Sequence, residues 1–253
     1  MEQALLLIAL GAALAGFAQG VSGFAFALVA LSVWAWGVEP RLAAVLAVFG
    51  SLVGQLVTLP FVWRGFSLKR ALPFVIGGLV GVPFGALLVG AAEPMLFRFG
   101  LGLFLVLYCP LMLLLSPDLR IGWGGRVADA ASGWIGGVLG GMAGIAGPVP
   151  TLWITLRGWS KDEQRGVLQG FNIAMHSATL ATYLAFGTIK PEMLGPMALC
   201  AVVLAPFALA GVLVFRRLTT VGFRRVVLIA LTASGLALIA GAVAAWVARY
   251  SAA

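Results

Sequence analysis

The sequence predicts an all-α integral membrane protein, a polytopic helical bundle of two inverted repeats. Each repeat is a glycine-broken helical hairpin followed by three transmembrane helices. Three observations lead there. The chain of 253 residues is 62% hydrophobic and only 9% charged, with a mean hydropathy of +1.10, whereas a soluble domain is about a quarter charged. A glycine-rich stretch occurs twice, with Gly16, Gly20 and Gly23 matched by Gly137, Gly141 and Gly144 at a constant offset of 121 residues. The basic residues, finally, gather on one side of a membrane under only one way of threading the chain.

The elements follow from the apolar runs, since about 20 apolar residues cross the hydrocarbon core. Six segments meet this simply: 42–63, 71–91, 99–115, 167–186, 194–215 and 226–247. Two others, 4–36 and 130–155, contain the glycines. The first of these would be about 50 Å long as one rod, too long for a single crossing. Glycine inside a helix costs about 1 kcal/mol relative to alanine, so a repeated cluster calls for a break. Each motif segment is therefore read as two half-helices of roughly 12–16 residues, about half a bilayer each. The N-terminal run has the look of a signal peptide, with Ala13-Leu14-Ala15 as a cleavage site. It lacks a basic n-region, and its glycines recur later as structure, so it is expected to stay in the mature chain.

Charge then fixes the parity. If each motif segment crosses once, the sixteen Lys and Arg divide seven against nine. If each enters and leaves on the same side, twelve collect on one face and only Arg41, Arg98, Lys190 and Arg249 stay on the other. The second division is the asymmetry of cytoplasmic against external loops. Both termini are then external (periplasmic), and the second half lies upside down relative to the first. Phe97-Arg98 recurs as Phe223-Arg224, and Pro83-Phe84 as Pro206-Phe207. The expected division is 1–117 for the first repeat, 118–129 for a cytoplasmic linker and 130–253 for the second, inverted repeat. Membrane orientation also accounts for the net charge of +8, so a nucleic-acid partner is excluded. Cys109 and Cys200 lie within apolar segments and read as small buried residues.

With these residues in view, the chain resembles the sulfite exporter TauE/SafE family, also called the TSUP family of anion permeases, over nearly its whole length. The resemblance rests on two halves that each open with a glycine motif, Gly16–Gly23 and Gly137–Gly144. It rests also on the polar turn Trp159-Ser160-Lys161-Asp162-Glu163 leading to a helix with Asn172. The second motif is close to the family's glycine pattern, while the first has Gln19 and Phe24 where small residues often stand. The resemblance implies a permease for sulfite, sulfoacetate or another organosulfonate in the bacterial inner membrane.

The residues themselves also point to an anion. All eight acidic residues fall in or beside expected loops, and no Lys or Arg sits in mid-span. That argues against a carboxylate relay or a cation site. What is left at depth is amide, hydroxyl, imidazole and backbone N–H. The N-terminus of a broken helix presents unpaired N–H groups and partial positive charge, which suits an oxyanion. Such donors are expected around Ser22, Gly23 and Phe24 in the first motif. In the second they are expected around Ala143, Gly144, Ile145 and Gly147, ahead of Pro148 and Pro150. The alternative is that the glycines only allow close helix packing.

Asn172, His176 and Thr179 share one helix face, opposite a comparable stripe of Ser51, Gln55 and Thr58. Asn172 is expected to touch substrate. His176, the only histidine, either moves a proton with the anion or is a buried neutral imidazole. Gln55 lines the path or satisfies a kinked backbone, and Gln19 and Gln169 are further candidates. Trp34, Trp36, Trp63, Trp123 and Trp153 read as interfacial anchors.

Three rivals stand beside the permease: a passive anion channel, a non-transporting scaffold, and an intramembrane serine protease using Ser22 and His176. The protease reading rests on Gly20-Val21-Ser22-Gly23, which is similar to a rhomboid-type nucleophile turn. The second copy, however, has Ala143 where Ser22 stands. The expected partners are a small anionic substrate, a co-transported proton, the lipid bilayer and a second copy in a homodimer, with no cofactor or metal.

Overall fold

The structure, a computed structural model, describes residues 2–62, 66–89, 93–114, 120–215 and 220–251. Among them all regular structure is helical: α1 (Glu2–Ser22), α2 (Phe26–Trp34), α3 (Pro40–Val62), α4 (Leu68–Val89), α5 (Pro94–Leu114), α6 (Gly125–Ala143), α7 (Pro148–Leu156), α8 (Lys161–Ala185), α9 (Leu194–Phe215) and α10 (Thr220–Ser251). A 3-10 turn, Pro191–Met193, leads into α9. Among the described residues five stretches are long and apolar enough to cross a membrane: Gln3–Ser22, Pro40–Phe61, Leu68–Leu88, Met95–Leu114 and Pro191–Val214.

Polarity is distributed inside out. Leu107 and Val202 are 63% and 74% exposed on the outer surface, whereas Gln19 and Gln55 are fully buried. That arrangement is stable only where the surrounding solvent is itself apolar, as in a bilayer.

Both motif segments break, but their arms are unequal. The expected half-helices of 12–16 residues are instead 21 and 9 residues in α1 and α2, and 19 and 9 in α6 and α7. The reason lies in which glycine turns the chain. Positive φ falls at the third matched glycine of each copy, Gly23 at +86° and Gly144 at +71°. That left-handed conformation ends a helix and is open chiefly to glycine. The earlier glycines stay helical and serve packing instead. A Cβ on Gly16 would lie 2.7 Å from Leu204 O, and Gly20, Gly137 and Gly141 press on Ala208 O, Gly78 O and Val82 O. The packing reading therefore holds for four of the six glycines and the break for the other two.

The helices interlock across the two halves. α1 packs along α9 and α6 along α4, while α3 lies against α8 and α5 against α10. Exchanging α1–α5 with α6–α10 in order turns the α1–α9 pairing into the α6–α4 pairing and maps α3–α8 and α5–α10 each onto itself. Each short arm folds back along its long one. Trp34 Nε1 donates to Leu7 O at 3.0 Å and Ile8 O at 3.3 Å, which closes α2 onto the start of α1. Trp153 Nε1 donates to Asp129 Oδ1 at 2.7 Å, which closes α7 onto the start of α6.

These two contacts correct two expectations. Trp34 is fully buried and latches the hairpin, whereas Trp36 and Trp123, 48% and 72% exposed, keep the accessibility of interfacial anchors. Trp63 lies outside the described residues. Asp129, expected in the linker, is a buried residue of α6, because that helix begins at Gly125.

Candidate functional site

The two breaks meet inside the bundle. A Cβ placed on Gly147 would lie 2.8 Å from Phe24 Cβ and 3.5 Å from Asn172 Nδ2. One on Gly144 would press on Val48 N at 2.9 Å, so the second break leans on the middle of α3. The first break reaches the same helix lower down, where Gln55 Nε2 donates to Gly23 O at 2.8 Å.

At the first break the backbone amides from Gly23 to Phe26 are all taken. Gly23 N donates to Gln19 O at 2.7 Å. Ser22 Oγ accepts from Phe24 N at 3.3 Å and Ala25 N at 3.1 Å, and its own proton goes to Ala18 O at 2.7 Å. Gln19 Oε1 accepts from Phe26 N at 3.2 Å. Ser22, Gly23 and Phe24 were expected to offer free amides here, but the chain caps α2 with its own side chains.

At the second break Gly144 N and Ile145 N donate to Gly140 O and Leu139 O, which completes the C-terminal end of α6. The expected donors at Ala143, Gly144 and Ile145 are thus used by that helix. The open donors lie just beyond. α7 starts with Pro148 and no side chain caps it. Among the described residues the amides of Ala146, Gly147 and Val149 have no acceptor. Tyr108 Oη on Pro148 O and Tyr183 Oη on Gly141 O brace the segment from either side.

α8 brings a polar face to this point. Gln169 Nε2 donates to Gln55 O at 2.6 Å and Thr58 Oγ1 at 3.3 Å, which pins α8 to α3. One turn further on, Asn172 is 1% exposed with both Nδ2 and Oδ1 unpartnered, and His176 Nδ1 and Thr179 Oγ1 follow it unpartnered too. Gln19 Nε2 and Gln55 Oε1 complete the set. A buried polar group without a partner costs about 1–3 kcal/mol. Three amides and both ends of Asn172 together approach the whole stability of a typical domain, about 5–15 kcal/mol. These groups are therefore open to a partner from outside the chain.

A protein-family model described as sulfite exporter TauE/SafE matches residues 8–238, taking in both breaks and all of α2–α9. The chain belongs to that family. No curated protein and no solved structure matches it. The TauE/SafE family is one of membrane transporters, and two structural details agree with that class over the protease reading. Ser22 Oγ gives its proton to a carbonyl in its own helix. Among the described residues no hydrogen bond joins Ser22 to His176.

In this TauE/SafE member the structure adds a residue that sequence reasoning missed. Arg165, in the second turn of α8, donates through Nη2 to Gly20 O at 2.9 Å and through Nη1 to Val21 O at 3.3 Å. Its Nε lies 3.6 Å from where a Cβ on Gly23 would sit. A guanidinium thus closes the electronegative end of α1 beside the first break. The spacing of Arg165, Gln169 and Asn172 on one helix face carried that signal, and the loop-like setting of Arg165 in the sequence hid it.

Proposed function

We propose that the chain is a permease moving a small sulfur-containing anion, such as sulfite, sulfoacetate or another sulfonate, outward across a bacterial inner membrane. Transport proceeds by alternating access of one half against the other, around the point where the two breaks meet. The observation that carries the reading is the juxtaposition of Gly147 with Phe24 and Asn172, beside amides that have no acceptor in the chain. Neutral dipoles of this kind hold an oxyanion without a fixed countercharge, so the anion is also released.

The halves are read as inverted repeats. The exchange of helix pairings between α1–α5 and α6–α10, and the fold-back of each short arm to the start of its long one, support that reading. With each hairpin entering and leaving on one side, both termini are external and Arg70, Arg157 and Arg165 face the cytoplasm. His176, on the face of Asn172 with Nδ1 unpartnered, is the group assigned to carry a proton with the anion.

The test is flux in proteoliposomes across sulfite, sulfate, thiosulfate, sulfoacetate, taurine and simple carboxylates. Saturable sulfite or sulfonate flux that accelerates with counter-substrate is expected. Flux linear in concentration and indifferent to counter-substrate would make the protein a channel. Flux confined to carboxylates would remove the sulfur anion from the reading.

A further inference from the structure

The two breaks are unequal, and we propose that the anion is seated on the second break alone, one per chain, while Gln19 and Ser22 occupy the equivalent place at the first. This rests on the transport reading above. Gln19 Oε1 and Ser22 Oγ accept the amide protons of Phe26, Phe24 and Ala25. They are neutral oxygens placed where a helix N-terminus draws an oxyanion. At the offset of 121 residues, the second motif has Gly140 in place of Gln19 and Ala143 in place of Ser22. Neither side chain has an oxygen. The sequence difference and the open amides of Ala146, Gly147 and Val149 thus tell one story.

An independent observation comes from α8. Asn172 is buried, its Nδ2 points at Gly147, and neither end of its carboxamide has a partner. The position equivalent to Asn172 in α3 holds Ser51, which offers no second amide donor. The turn amides of the first break, Phe24 to Phe26, are capped, whereas the open turn amides of Ala146 and Gly147 and the Asn172 donor aimed at Gly147 lie together in the second half.

Their number also selects the ligand. Three amides in one turn and the Asn172 Nδ2 make four donors. Sulfite and the sulfonates present three oxygens with charge spread over all of them, whereas a carboxylate presents two. A pyramidal or tetrahedral sulfur oxyanion leaves fewer of these donors unpaired. Phe24, across from Gly147, closes the seat on the side of the first break.

The experiment is hydrogen exchange, followed by mass spectrometry, of the full chain in nanodiscs with and without sulfite, methanesulfonate or acetate. Sulfite and methanesulfonate are expected to slow exchange several-fold in peptides covering 145–152 and to leave 22–28 unchanged. Acetate is expected to do much less. Asn172→Ala should weaken the sulfite effect about tenfold in concentration, the loss of one charge-assisted hydrogen bond. Protection at 22–28, equal protection at both breaks, equal protection by acetate, or an unchanged response in Asn172→Ala would each overturn the assignment. Protection at 145–152 without flux in proteoliposomes would sink the transport reading and leave this seat standing. Flux without that protection would do the reverse.

Discussion

Arg165 and Gly20 are joined by a hydrogen bond of 2.9 Å from Nη2 to the carbonyl, the tie that fixes the start of α8 to the end of α1. Because Arg165 shares a helix face with Asn172, this tie also sets how α8 presents Asn172 to the breaks. Hydrogen bonds to a charged group contribute about 1.5–3 kcal/mol. Arg165→Ala should therefore lower the unfolding free energy in detergent by about that amount and reduce sulfite flux. Arg165→Lys, which keeps the charge without the two-armed geometry, should fall between. An alanine variant as stable and as active as the parent would show that the tie does nothing.

Gly23 and Gly144 hold equivalent positions and both have positive φ, yet their replacement by alanine should not be equivalent. At Gly23 the nearest foreign atom to an added Cβ is Arg165 Nε at 3.6 Å, so the cost is backbone strain alone, about 1–2 kcal/mol. At Gly144 the added Cβ would meet backbone atoms of α3, Val48 N at 2.9 Å and Ala47 C at 3.0 Å, which cannot swing aside. Gly144→Ala should thus lose clearly more thermal stability than Gly23→Ala, measured side by side in one detergent. Equal losses would mean that strain, not the contact with α3, governs both.

How far the sequence reaches is visible in these same residues. The spans in α3, α4, α5 and α9 were legible because apolar runs of bilayer length need no tertiary information, and the breaks because glycine was repeated at a fixed offset. The burial of Asn172, His176 and Gln55 was legible from their place within apolar helices. The unequal arms were not. Which of three glycines takes positive φ depends on the carbonyls of Leu204 and Gly78 pressing on Gly16 and Gly137, contacts made by remote helices. The capping roles of Gln19 and Ser22 were hidden for a related reason. Only the folded turn brings Gln19 Oε1 to the amide of Phe26, seven residues on. Arg165 and Trp34 have partners whose proximity depends on the hairpin and on the docking of α8.

A pH dependence is expected at the foot of α8. Ser160 and Glu163 form a capping box there, with Glu163 also paired to Arg70 at 2.9 Å. The Ser160 hydrogen bond, followed by the Arg70 charge, holds the Glu163 carboxyl below its ordinary value of 4.5. A carboxyl with a depressed folded-state pKa stabilises the fold above its unfolded value, and that stabilisation is lost as pH falls through the folded value. The unfolding temperature should therefore decline below about pH 4.5. Glu163→Gln should flatten part of that decline. Parallel curves for the two proteins would assign the acid sensitivity elsewhere.

The contact between Gly147 and Phe24 yields the sharpest test of the meeting of the two breaks. Gly147 has φ −71° and ψ −36°, ordinary right-handed helical values that alanine adopts without strain. Its glycine is therefore needed for space, not for conformation. The space is filled by Phe24, whose Cβ would sit 2.8 Å from the new methyl group and whose Cγ would sit 3.4 Å away. Gly147→Ala should then keep the chain folded, with a normal elution profile in detergent, while pushing the breaks apart and cutting sulfite flux by about tenfold or more, the effect of misplacing binding groups by a fraction of an ångström to an ångström. Gly147 and Phe24 lie in different halves, so relief from the second site is decisive. Phe24→Ala removes the ring but leaves its Cβ, and in the Gly147→Ala background it should recover part of the flux. Phe24→Gly, which removes the Cβ as well, should recover more. A double variant no better than Gly147→Ala alone would mean that the two breaks are not in contact during transport.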